Sequence, residues 1–561
     1  MIRATLGDNG RVYFTGAGRR MLRFTACIRL QIREELVSQH RGNVSIPESA
    51  VSAVAECAKE FGVDLSTFAE TIDEFRMHEE ARREAMQIIT ERDDSCIPER
   101  WGFLESHQKT AVNAMTRKNL LGACLFDEQG TGKTLTTLAA FDILKADGEI
   151  DFMMVIAPQS VLNAWRDDAT KISSSTVLTI ASVTGNLQEK INALRARKDI
   201  YALSYETLNS MLVAAKASAK RGNCLLVVDE AFNVKNPGAM RSRSVRELRS
   251  VCARAFVLSG TPAPRSPEDI INQSDVADNG YAFQGYCSTG DRLRDAEEVH
   301  KALANRSVYL RRTKNEVLPM LPHKDLHIVR VDLSGRQREL YENARDNLAL
   351  KLHNMNNEVF KQDRLNYFNK RAKLLQLCGC PSMVDAMFPD DHAKIKGLDE
   401  LVEEIVVKNG RKLVIWTSYT RSIEEIARRY AKHGIAVIHG ATPPEERGNA
   451  ITKFQKDSSV KIFLGNPAAA GAGITLTAAA DAVYVSYPDK AADFIQSIDR
   501  IHRIGQSADS VRYHFLVCEN TIEVNQIRLL PDKMLRQHLI FGETAEWPST
   551  LEEALKELND E

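Results

Sequence analysis

Short apolar runs separated by helix-length polar segments dominate the middle of the chain, at 122–126, 153–157, 201–204, 225–228 and 256–259. Runs of four or five apolar residues alternating with helical stretches predict strands buried on both faces, and hence a parallel α/β sheet. The rhythm stops near Gly285. Residues 333–377 then carry apolar positions at helical spacing among many charges, which predicts long helices. The strand rhythm resumes at 413–416, 436–439, 462–465, 483–487 and 513–517, giving a second α/β lobe. Ahead of the first lobe, Gly7-Asp8-Asn9-Gly10 suggests a hairpin, and 48–90 reads as helix rich in Glu, Arg and Ala. The expected organisation is an accessory region (1–95), a first lobe (98–285), a helical linker or protrusion (286–392), a second lobe (393–545) and a short acidic helix or tail (546–561).

Composition narrows the class. The 561 residues are 43% hydrophobic, enough to bury the cores of three or four domains. Lys plus Arg (74) and Asp plus Glu (75) nearly cancel, so a nucleic-acid surface would need local clustering of cations. The ten cysteines are scattered without C-x-x-C pairs, which predicts reduced thiols and no zinc module. With no run of 18 apolar residues and no basic-then-apolar leader, a cytoplasmic protein without membrane partners is expected.

Chemistry enters between the first strand and its helix, at Asp127-Glu128-Gln129-Gly130-Thr131-Gly132-Lys133-Thr134. A triphosphate needs backbone N–H groups at close range, supplied by Gly130, Thr131 and Gly132. It also needs a cation, Lys133, and a hydroxyl for Mg²⁺, Thr134. A plain glycine-rich turn is the competing reading, and Asp127 stands where the generic loop has glycine. About 95 residues on, Asp229-Glu230-Ala231 follows an apolar strand. Asp229 would hold Mg²⁺ and Glu230 would orient and deprotonate water, although an Asp-Glu pair after a strand is common by chance.

Taken in order, these motifs resemble the Swi/Snf branch of the superfamily 2 helicase-like ATPases, whose phosphate loop reads Asp-Glu-x-Gly-x-Gly-Lys-Thr. The resemblance spans 98–540 and extends through Leu258-Ser259-Gly260-Thr261-Pro262, Arg311-Arg312-Thr313-Lys314 and Gln496-Ser497-Ile498-Asp499-Arg500-Ile501-His502-Arg503-Ile504-Gly505-Gln506. It implies two tandem RecA-like lobes, with ATP and Mg²⁺ as ligands. It also implies base and nucleotide contacts from Gln108 and Gly473, and catalytic roles for Gln496, Arg500 and Arg503, the two arginines lying one helical turn apart. Nucleic-acid contacts would come from Tyr205, Lys235, Asn236, Trp416 and Thr475. Phe232 departs from the His or Gln usual after Asp-Glu-Ala, which bears on coupling between hydrolysis and DNA. Gly42-Asn43-Val44-Ser45-Ile46-Pro47 followed by helix resembles the DNA-binding domain that precedes the motor in annealing helicases.

The implied activity is an ATP-driven translocase on double-stranded or branched DNA, acting as a monomer of bacterial or phage origin. A strand-separating DNA or RNA helicase shares the same ATP site. A nucleotide-switched binding module, uncoupled by Phe232, is the reading from another class.

Overall fold

The computed structural model describes residues 2–527 apart from 8–10, 34–36, 41, 172–177, 261, 263–266, 285, 287, 319, 334, 471–473 and 489–490. The expected C-terminal helix lies outside these residues. The chain divides into two compact units, the first running to Val317 and the second beginning at Leu318.

The first unit opens with β1 (Arg3–Leu6), β2 (Arg11–Thr15), β3 (Ser38–His40) and β4 (Asn43–Pro47), an antiparallel sheet of order β1-β2-β4-β3. β1 and β2 pair as the expected hairpin, whose loop at 8–10 is not among the described residues. The helix Gly18–Gln31 buries Met21, Phe24 and Ile28 in the same core as Val12, Phe14, Val44 and Ile46. Cys27 of this helix is joined to Cys57 in a disulfide, which corrects the expectation of reduced thiols throughout. The other described cysteines are free.

The helix Ala69–Glu91 carries this region onto a seven-stranded sheet. The strands are β5 (Gly122–Leu125), β6 (Phe152–Ala157), β7 (Ile180–Ser182), β8 (Ile200–Ser204), β9 (Cys224–Val228), β10 (Arg254–Leu258) and β11 (Tyr309–Leu310). All pairs are parallel, in the order β11-β5-β10-β9-β6-β8-β7. β5, β6, β8, β9 and β10 are buried along their whole length, which explains their continuous apolar sequences. Part of the segment expected as linker belongs here: β11 pairs with β5, and Val299 and Leu303 of the helix Arg292–Arg306 join the core.

The second unit holds β12 (His323–Val331), β13 (Leu413–Trp416), β14 (Ile435–Ile438), β15 (Ile462–Gly465), β16 (Asp481–Tyr484) and β17 (Ser510–Cys518). They form a parallel sheet of order β12-β17-β16-β13-β15-β14. β12 pairs with β17 along all 9 of its residues, from His323 opposite Ser510 to Val331 opposite Cys518. It is an edge strand with Leu326 and Ile328 exposed. Between β12 and β13 run the long helices Gly335–His353 and Asn357–Gly379, as the spacing predicts. The two parallel sheets bear out the expected α/β class. No described helix is long and apolar enough to cross a membrane.

The accessory region is fastened to the first α/β lobe by polar and aromatic contacts. Arg33 pairs with Asp275 at 2.6 Å, Phe75 lies against Tyr281 with ring centroids 4.5 Å apart, and the Leu121 N–H donates to His78 Nδ1 at 3.2 Å. Burial, reinforced by Arg82, Arg249 and Arg254, depresses the His78 pKa to about 4. The unfolded chain therefore takes up a proton near pH 6.5 that the folded chain refuses until about 4. Stability is lost as pH falls through that window, by up to about 3 kcal/mol. Asp278, buried and pushed up to about 7 partly by Asp275, works in the opposite sense. The His78 contribution is thus read as the difference between wild type and His78→Gln in urea midpoints from pH 7 to 4. Parallel pH profiles for the two proteins would remove it.

Candidate nucleotide and nucleic-acid sites

β5 delivers the loop 126–132 at the carboxyl edge of the first sheet, and the helix Lys133–Ala146 follows at once. Gly130 (φ 84°) and Gly132 (φ 87°) occupy the left-handed region, which glycine enters without steric cost. A Cβ on Gly132 would lie 2.1 Å from Gln108 Nε2. Gln108 is buried at the start of the helix Ser106–Met115, where its side-chain amide donates to the carbonyls of Thr131 (3.3 Å) and Gly132 (3.4 Å). His107 Nε2 lies 3.0 Å from the same Thr131 oxygen, so it carries the proton. Two neighbouring side chains thus grip one peptide of the loop. Lys133 Nζ donates to the carbonyls of Asp127 (2.8 Å) and Glu128 (3.1 Å), so its ammonium is met by oxygens of its own loop.

Opposite stands the end of β9. Asp229 is buried, accepting a hydrogen bond from Trp165 Nε1 (2.8 Å) and one from the Glu230 N–H (2.8 Å). Glu230 adopts φ 50°, a left-handed conformation that costs a residue with a Cβ about 1–2 kcal/mol. Gln129 Nε2 of the phosphate loop reaches Glu230 Oε1 at 3.3 Å, joining the two halves of the site. Burial lowers the Lys133 pKa against the pull of Glu230, Asp127 and Asp229. Burial raises that of Asp229 against the Trp165 hydrogen bond and Lys133. Both charges are held where water solvates them poorly, so a bound polyanion with a divalent cation would favour the charged form of each. The donor set of loop amides, ammonium, the Thr134 hydroxyl and the Asp229 carboxylate fits magnesium and a triphosphate.

Two residues expected at nucleic acid are corrected. Tyr205 is buried, and its hydroxyl donates to the Asp229 carbonyl at 2.7 Å. It braces the acidic strand end and presents nothing to a ligand. Trp416 is fully buried in β13, edge-on to Phe463 at 5.8 Å. The unbroken apolar run that makes it a strand residue also makes it core. Asn236 is exposed, with its side chain capping the Gly238 N–H, and Lys235 pairs with Asp269 at 3.0 Å.

In the second unit the helix Ala491–Ile498 stops before the arginines, which lie in the turns that follow and not one helical turn apart. Arg500 is buried: its Nε donates to the Gln496 carbonyl (2.5 Å) and its Nη1 to Ile474 O (3.0 Å). Arg503 Nη1 reaches the same Ile474 oxygen (2.9 Å) and Thr475 Oγ1 (3.2 Å). Arg500 and Arg503 therefore converge on the Ile474–Thr475 peptide, with Gln496 bound to Arg500 through its main-chain carbonyl. Gly473 lies outside the described residues.

The sequence pattern missed four participants. Trp165 ends a segment that resembles a DNA-backbone motif, but its indole holds Asp229. Gln129 reads as loop filler but holds Glu230. Arg311 and Arg312 read only as part of a segment that resembles the Swi/Snf branch, yet their guanidinium groups face the phosphate loop. Arg311 donates to the Phe126 (2.6 Å) and Gly260 (3.1 Å) carbonyls, and Arg312 Nε donates to Asp127 Oδ1 (3.0 Å). The only signal for the last pair was Asp127 itself, a carboxylate where the generic loop has glycine.

Comparison with known proteins agrees with this geometry. The family described as "SNF2-related domain" matches residues 107–383, and "Helicase conserved C-terminal domain" matches 393–505. The mouse SWI/SNF-related matrix-associated actin-dependent regulator of chromatin subfamily A member 1 is 30% identical over 455 residues, covering 75% of this chain and 42% of that protein. A Mycoplasma pneumoniae protein described as an uncharacterized ATP-dependent helicase is 25% identical over 442 residues, covering 77% of this chain and 41% of its own length. The chain thus spans about two fifths of the curated relatives it matches. A solved Sulfolobus solfataricus SWI2/SNF2 ATPase core in complex with dsDNA aligns at 25% identity over 77% of this chain and 92% of that one. Its TM-score of 0.36 is too low to bear on the present fold. With an SNF2-related domain followed by a helicase C-terminal domain, the chain belongs to the Swi/Snf-like branch of the helicase-related ATPases.

Proposed function

We propose that this chain hydrolyses ATP and uses the energy to move along double-stranded or branched DNA without separating its strands. The observation that carries the reading is the lobe-one cluster, in which a glycine loop ending in Lys133 is tied through Gln129 to Glu230, beside Asp229. Magnesium, held by Thr134 and Asp229, would supply neutralisation of phosphate charge. Lys133 leaves the Asp127 and Glu128 carbonyls for phosphate oxygens, which it meets as a stronger, charge-assisted partner. Glu230 orients water and takes its proton. The family resemblance would give Arg500 and Arg503 the role of fixed positive charge for the outer phosphate. Duplex DNA as the track is supported by family membership. Lys235 and Asn236 are the candidate backbone contacts in the first unit.

The accessory region supports a second grip on the polyanion. From Arg11 to Arg33 the chain carries six arginines and no acidic residue. Arg19, Arg23 and Arg29 are exposed on the helix Gly18–Gln31. This is the local cation clustering that the balanced composition requires. Replacing these three by alanine is expected to weaken duplex binding about tenfold and to reduce the slope of log affinity against log salt by about 2–3. An unchanged salt slope would take the helix off the DNA.

Triplex displacement tests the motor. The full chain with ATP should release a third strand from duplex DNA, and robust ATP hydrolysis with no release overturns translocation. Stronger ATPase stimulation by RNA than by duplex DNA would favour an RNA helicase instead.

A further inference from the structure

β11 does not end its partnership with β5 at the sheet. Cys124 and Phe126 donate to the carbonyls of Val308 and Leu310 (2.8 Å each), and the pairing continues into the phosphate loop, where the Glu128 N–H donates to Arg312 O at 3.0 Å. Asp127 Oδ1 accepts from both the backbone N–H and the Nε of Arg312 (3.0 Å each), and Asp127 Oδ2 pairs with Arg312 Nη2. Arg312 Nη1 also donates to the carbonyl of His107 at 2.7 Å, so one guanidinium ties the loop to the helix that grips it. The Lys314 N–H donates to Glu128 Oε2 at 2.7 Å. Five residues after Arg312 the first unit ends, at Val317.

The residues whose carbonyls meet Lys133 are Asp127 and Glu128. The same two residues hold Arg312 and Lys314 with their side chains, and Glu128 also with its amide. Withdrawal of the ammonium to a bound phosphate frees both carbonyls; the Asp127–Glu128 peptide is bonded directly to Arg312 O through its N–H, and the Glu128 carboxylate accepts from the Lys314 N–H. We propose that the Asp127–Arg312 pair relays occupancy of the phosphate loop to the 312–317 segment that leads into the second unit, with Arg312 acting as a positioning residue. Asp127 replaces the generic glycine because the relay needs a carboxylate there. The planar fork of arginine fits two carboxylate oxygens at once, which a lysine cannot reproduce. This inference rests on the proposed ATPase and concerns how its nucleotide state is transmitted.

The test uses the full chain and two readouts. In wild type, ADP with magnesium should alter amide hydrogen exchange across 312–317, and Arg312→Lys, which keeps charge but loses the fork, should abolish the response while remaining folded. The stimulation of ATP turnover by duplex DNA should fall about tenfold in Arg312→Lys and in Asp127→Asn. The double variant should be no worse than either single one. A clamp that only supports the fold would change exchange equally with and without nucleotide, and additive losses in the double variant would also overturn the relay. A wild-type chain that binds no nucleotide would refute the ATPase instead. A nucleotide-binding wild type with a silent 312–317 segment refutes the relay alone.

Discussion

Glu230→Gln is expected to lower steady-state ATP hydrolysis by about a hundredfold to ten-thousandfold and to leave nucleotide binding nearly intact. The amide matches the carboxylate in shape and keeps a carbonyl oxygen for Gln129 Nε2, but it cannot accept a proton from water. Lys133 and the left-handed glycines that would receive the phosphates are untouched. Multiple-turnover hydrolysis and fluorescent-nucleotide titration measure the two quantities separately. Wild-type turnover in this variant would remove Glu230 from the role of base. A companion variant exploits the strained backbone: Glu230→Gly relieves φ 50° and should gain about 1 kcal/mol of stability while losing activity. Opposite movement of stability and turnover marks strain kept for function.

Lys394→Met is expected to destabilise the second unit by about 3–5 kcal/mol, because it leaves a buried carboxylate without its cation. Lys394 and Glu523 are 0% and 2% exposed in their side chains, and the ammonium donates to Glu523 Oε1 and the Val485 carbonyl at 2.7 Å each. Burial pulls the lysine pKa down, but Glu523 together with Cys518 and Cys378 outweighs it, so the value sits above that of a free lysine. Cys378 and Cys518 lie close enough to Glu523 to suggest a metal ligand set, yet this carboxylate already accepts from Lys394 and from the Cys518 N–H at 3.0 Å. Denaturant unfolding followed by a probe in each unit should show the second transition moving and the first staying. Pairing Lys394→Met with Glu523→Leu should recover most of the loss, since a buried ion pair and an apolar pair differ little in net stability. A loss below about 1 kcal/mol in the single variant would mean that water reaches the stranded carboxylate.

The central strands were legible because burial on both faces writes an unbroken apolar run, as at Cys224–Val228 and Ile462–Gly465. Three of the four edge strands of the parallel sheets write no such run. β7 has three half-buried residues, β11 has two residues, and β12 mixes His, Lys, Asp and Arg with exposed Leu326 and Ile328. Side-chain direction was equally hidden. Tyr205 and Trp416 sit in segments expected to meet nucleic acid, but spacing along a motif does not say that one hydroxyl turns inward to Asp229 or that the indole fills the core. Lys133, Asp229 and Glu230 were legible because their chemistry is specific and each follows a buried strand. Arg312 was not, because its partner Asp127 lies 185 residues away in sequence.

The nine-residue ladder between β12 and β17 also has a consequence for synthesis. β12 is made first in its unit but pairs within the sheet only with β17, whose first residue emerges from the ribosome about 190 residues later. At typical elongation rates that wait lasts about 10–40 seconds, during which Leu326, Ile328 and an unpaired strand edge remain open to other chains. The last of the described strands closes the sheet, so the second unit cannot complete its fold from its beginning onward.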